Sequence, residues 1–136
     1  SDVGKRAMSA ERAVRAKALV VLGGDSVLAG LVHGVFDGVP PRATIPFLSV
    51  GGAEGSDWGT KDRAGREVRL TLALHGAGDG AGGDAAVQVE AAVAALRGPA
   101  GGWTIVSARA VRMRLAPMRD GGWRHETVVR CRCLAD

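Results

Sequence analysis

The chain has no tyrosine, and three Trp and two Phe are its only aromatics. Large rings therefore cannot fill the interior, and a core has to be assembled from Val, Leu and Ala. No apolar run approaches the roughly 18 to 20 residues a membrane-spanning helix needs; the strongest candidate is Ala18 to Leu22, five residues. Lys5 and Arg6 stand near the N-terminus, but Glu11, Arg12, Arg15 and Lys17 break up any apolar segment behind them, so no secretory signal is read there. Cysteine is scarce: only Cys131 and Cys133 occur. At i, i+2 on a strand they point the same way, a poor geometry for bonding each other, and are expected as reduced thiols of a cytoplasmic protein. No second Cys pair joins them and His125, so a four-ligand zinc site is not expected.

Glycine is abundant instead, with 21 in 136 residues, about twice the usual share. Hydrophobic residues at 46% and charged residues at 24% are ordinary for a globular chain, and the length suits one domain over 1–136, with 1–8 expected to be flexible. The net charge of +4 is unevenly placed. Residues 1–20 and 109–136 are basic, while 21–108 are acidic. Such asymmetry suits nucleic acid, or a head-to-tail contact between copies that closes into a ring, or plain surface solvation.

Ser9 is placed to cap a helix through Leu22, with Ala10, Val14, Ala18, Val21 and Leu22 as its apolar stripe and Gly23-Gly24 as its stop. Asp25 is read as the cap of a second, short helix through Val32. Residues 34–37 suggest a short strand or the entry to a turn, residues 46–50 a strand, and the polar, Gly-rich stretch 51–65 a long loop. From Glu67 to His75 the alternation is clean, with Val68, Leu70, Leu72 and Leu74 on one face. Asp84 is expected to cap a helix to about Leu96, and residues 99–102 to turn. Two further strands flank an Asp120-Gly121-Gly122 turn: Val111, Met113 and Leu115 alternate with Arg112 and Arg114, then Thr127, Val129, Cys131 and Cys133 with Glu126, Arg130 and Arg132. The fold class expected is α+β, an antiparallel sheet with helices packed on one face and an Arg-bearing face left open.

Chemistry-bearing motifs are sparse. Gly76-Ala77-Gly78-Asp79-Gly80-Ala81 matches G-x-G-x-x-A, but the strand before it alternates, no acid stands at 96–100, and too little chain remains for a doubly wound sheet. His33, His75 and His125 are scattered, and no Ser sits in a G-x-S-x-G elbow. No catalytic, cofactor-binding or metal residues are assigned, and the chain is read as a non-enzyme. Arg69, Arg112, Arg114, Arg130 and Arg132 form the best basic patch, without the aromatics that single-strand binding wants. Trp58 is a large ring in a loop, positioned either to fold back on its own core or to anchor a partner.

The order of these segments resembles one family. After an amphipathic helix come Gly34-Val35-Phe36-Asp37-Gly38-Val39-Pro40, Pro46-Phe47-Leu48-Ser49-Val50-Gly51, Asp57-Trp58-Gly59-Thr60-Lys61, a strand ending Leu70-Thr71-Leu72-Ala73-Leu74, a helix, and a strand holding Arg130-Cys131-Arg132. Across roughly residues 9–134 this is similar to the tail-terminator, or tail-completion, proteins of long-tailed phages and gene transfer agents. Phe36 and Phe47 stand where that family commonly has Tyr, and His75-Gly76 where it has Trp. The resemblance implies a structural homo-hexameric ring that ends the tail tube and joins it to the head connector. Its partners would be the tail tube protein, a head-completion or stopper protein, and DNA in transit without sequence specificity, with no cofactor and no membrane. It also implies a location in the bacterial cytoplasm during assembly and then at the head-tail junction of the particle. A subunit this long has a radius of gyration of about 14 Å, roughly 36 Å across as a sphere, and six in a ring leave a hole of similar width. A duplex of roughly 20 Å fits. Asp57, Trp58, Thr60 and Lys61 are expected at a subunit or tube interface, and Arg69, Arg112, Arg114, Arg130 and Arg132 towards the channel or a subunit seam. The alternatives are a head-completion protein one layer up the connector, or a small DNA-binding protein using its basic ends.

Overall fold

A computed structural model describes residues 8–78 and 82–136. Helix α1 spans Ala10–Gly23, and the Ser9 hydroxyl accepts from the Arg12 amide at 3.2 Å, as the capping pattern predicts. Its stripe is buried at Ala10, Ala13, Val14, Ala18 and Leu22. Helix α2 is only Ser26–Ala29, stopping short of Val32 at Gly30. Asp25 caps it through the Leu28 amide at 2.8 Å and also accepts from Gln88 on a later helix.

Strands β1 (Val35–Asp37), β2 (Phe47–Asp57), β3 (Gly65–Ala77), β4 (Gly98–Ala100), β5 (Trp103–Pro117) and β6 (Gly122–Ala135) build one curled sheet in the order β1-β2-β3-β6-β5-β4. Helix α3 covers Gly83–Val93 and tightens into a 3₁₀ turn over Ala94–Leu96. The sheet is mixed, which corrects the expected antiparallel one: β1 runs parallel to β2, because the Pro40-Pro41 segment carries the chain back before β2 begins. All other pairs are antiparallel.

Several boundaries also differ from expectation. The stretch after Val50 is strand as far as Asp57, and the loop shrinks to 58–64. Gly and polar residues there suit a strand exposed at the sheet edge, with a register shift between Val50 and Ala53. A Cβ on Gly51 would stand 3.0 Å from the Thr71 carbonyl oxygen, so glycine permits this close approach. Asp84 is not the cap of α3; Gly82, with φ of 63°, precedes the helix without a side-chain cap, and Asp84 sits in its first turn. Residues 98–100 pair with β5 as a strand where a turn was expected, and the turn itself is left to Gly101 and Gly102, both at positive φ. Residues 79–81 of the G-x-G-x-x-A stretch lie outside the described residues.

The core lies between the helices and one sheet face. Val68, Leu70, Leu72 and Leu74 of β3 and Val129, Cys131 and Cys133 of β6 are buried against Val14, Ala18 and Leu22 of α1 and Val89, Ala92 and Val93 of α3. This is the aliphatic interior that the aromatic-poor composition demands. In β5 the pattern departs from simple alternation, because bulges at Val106 and Val111 shift the phase. Met113 and Leu115 keep the helix-side orientation expected of them, opposite Thr127 and His125, but they are 49% and 51% exposed.

Candidate functional site: an open arginine face and its tryptophan turn

The register fixes which side chains share the face away from the helices. Successive rows from β2 to β5 read Ser56, Glu67, Arg132, Ser107; then Glu54, Arg69, Arg130, Arg109; and Ser49, Ala73, Glu126, Arg114. Arg112 stands opposite Val128, beside Thr71. All five arginines predicted from the sequence are therefore brought to one face, and Arg109 and Arg124 join them. Sequence reasoning missed Arg109 because the bulge at Val111 separates its phase from that of Arg112 and Arg114.

Ion pairing on this face is partial. Glu67 Oε1 lies 3.1 Å from Arg132 Nε and 4.0 Å from Arg130 Nε, and Glu126 binds Arg124 at 2.7 Å. Arg69, Arg109, Arg112 and Arg114 have no carboxylate partner among the described residues. A groove of about 800 Å³, lined by Glu54, Arg69, Thr71, Val111, Arg112 and Val128, crosses the sheet here. Three arginines in one row across three strands repel one another and attract an anion or carboxylate.

At one end of the face the β2-β3 turn folds back on the sheet. The Trp58 amide donates to the Gly65 carbonyl at 3.0 Å, and the Thr60 hydroxyl accepts from the Asp62 and Arg63 amides at 3.3 Å. Arg63 donates twice to the Ala135 carbonyl, at 3.1 and 2.9 Å, which ties the turn to the C-terminus. The Arg132 guanidinium lies 5.4 Å from the Trp58 ring centre. Trp58 thus caps its own sheet while staying partly accessible, and Asp57, Thr60 and Lys61 remain exposed beside it. The two clusters singled out in the sequence meet through Arg132.

At the other end His75 is stacked on Phe47, with ring centres 4.5 Å apart, and its Nε2 lies 3.0 Å from Ser49 Oγ. Burial, then the nearby Arg124, hold the imidazole below its ordinary pKa, and Glu126 opposes them only partly. Ser49 is itself buried, so this pair packs the strand ends. Trp123 of β6 lies against Gly76 and Gly82; a Cβ on Gly76 would fall 2.3 Å from its indole. Burial pushes the Cys131 thiol up to about 12 and the Cys133 thiol up to about 11, far from the nucleophilic range. No group of three or more His, Cys, Asp or Glu among the described residues has metal-ligand geometry.

Among solved structures, a chain from the structure titled "Virion of native gene transfer agent (GTA) particle" superposes with a TM-score of 0.82 at 25% identity, covering 94% of this chain and 100% of that one. No curated protein matches. The model of the family described as Tail completion protein gp17 matches residues 17–135, nearly the whole chain, and the protein belongs to that family.

Proposed function

We propose that this tail completion protein forms a closed ring of six copies that ends the tail tube, docks the head connector and lets DNA pass. The observation carrying this reading is the open face: arginines that have no carboxylate partner among the described residues lie on a curved sheet face turned away from the helices. Facing a lumen, such a surface offers phosphates a diffuse positive field, which suits a duplex in motion. The Trp58 turn, with Asp57, Thr60 and Lys61, is the contact to a neighbouring copy or to the tube, since it presents a half-buried ring beside exposed polar groups. The role is steric and interfacial and involves no bond-making. Assembly precedes particle release, so the protein works first in the bacterial cytoplasm and then at the head-tail junction.

Two variants test the two surfaces in cells that produce the particle. Trp58→Ala is expected to leave the fold intact and to lower the yield of capped tails; normal capping would remove the turn from the interface. Charge reversal at Arg112 and Arg130 is expected to disturb ring formation or DNA passage. Particles with unchanged yield and unchanged DNA content would remove the arginine face from the channel or seam.

A further inference from the structure

Both outer strands of the sheet are short, and each covers only one end of its neighbour. β1 pairs with β2 at Leu48–Val50, and β4 pairs with β5 at Trp103–Ile105. Among the described residues, β2 from Gly52 to Asp57 and β5 from Val106 to Pro117 carry no further strand on their outer sides. The Arg15 side chain already occupies the Val50 and Gly51 carbonyls, which marks where the open part of β2 begins. At Gly52 nothing stands within 4 Å of an added Cβ. Open backbone of this length is a template for another strand.

The charges on the two edges differ in sign. Glu54 and Asp57 lie on the β2 edge, and Arg109, Arg112 and Arg114 on the β5 edge. Two β5 edges would repel each other, as would two β2 edges, whereas β2 against β5 is complementary. Strand direction agrees. β2, β3, β6 and β5 alternate, so β5 is antiparallel to β2, and a copy repeated around a ring axis would set its β2 antiparallel to β5 of the first. Glu54 and Arg109 occupy the two ends of one row on the open face, separated by Arg69 and Arg130. Both are exposed and neither has an ion-pair partner among the described residues.

We infer that a second copy of this chain adds the Gly52–Asp57 edge of its β2 to the open edge of β5, with its Glu54 beside Arg109. This deepens the ring reading and rests on it. The row Glu54-Arg69-Arg130-Arg109 then continues into the next copy's Glu54, which sets a carboxylate beside the outermost arginine. One continuous sheet runs around the collar, and its arginine face is the same in every copy.

Charge exchange in particle-producing cells tests the seam. Glu54→Arg and Arg109→Glu each place like charges at every seam and should lower the count of intact particles about tenfold. The double variant E54R/R109E restores the pair in reversed order and should recover to within about threefold of the unmodified chain. Each purified variant should melt with the unmodified protein, because both side chains are exposed. Single variants that assemble normally, or a double variant as defective as the worse single, would overturn the seam. The ring reading is scored separately, by tail length when the chain is deleted. If that reading failed, E54C/R109C would still judge the contact: oxidation should give a ladder of linked chains, while monomers alone would exclude edge pairing.

Discussion

Cys131 and Cys133 show how far a spacing of two residues can be read. Placed at i, i+2 on β6, both point into the core, where burial raises their thiols to about 12 and about 11 from an ordinary value near 9. The folded chain keeps these protons after the unfolded chain has lost them. Their contribution to stability is therefore complete below about pH 9 and is lost as pH rises towards the folded values. The melting temperature should fall across that range, and in the Cys131→Ala/Cys133→Ala variant this part of the decline should vanish; an identical decline in both proteins would refute the assignment. Gly76 makes a second residue-scale claim. Its hydrogen faces the Trp123 indole, so Gly76→Ala should cost about 1–3 kcal/mol on urea unfolding, as overpacking does. A stability change below a few tenths of a kcal/mol would mean that the indole moves aside freely.

Elements with a strong local signal were legible in the sequence. Ser9 and Asp25 cap the helices assigned to them, and the alternation from Glu67 to His75 is the central strand β3. The β2 segment Gly51–Asp57 was not legible, because its strand state is held by the ladder to β3 and not by its own side chains. Neither was the parallel β1, whose direction depends on where the next loop returns. The bulge at Val111 hid Arg109 in the same way, since an extra residue on one strand leaves no mark in local composition. The sequence grouped the arginines on one face, but only the fold shows that Arg132 joins that face to Trp58. Asp25 tests how the helical layer is tied together: it caps α2 and also accepts from Gln88 of α3. Asp25→Ala should lower stability by about 1–2 kcal/mol. Gln88→Ala should lose less, and the two losses should not add in a double-mutant cycle. Full additivity would show that the two roles of Asp25 are independent.

At the scale of the whole molecule, an aliphatic core supports a sheet whose other face is turned away from the helices and rich in arginine. A protein working alone gains little from leaving such a face and two open strand edges uncovered, whereas a member of a closed assembly uses all three. The proposed function gives that surface a place in a particle, and the ring gives it a geometry. The most direct test is the tail itself, imaged by electron microscopy in producing cells with the gene deleted and then restored. The ring account predicts headless tubes of uncontrolled length without the protein, and uniform tails joined to heads once it returns. Tails of normal length attached to filled heads in the deletion would contradict it.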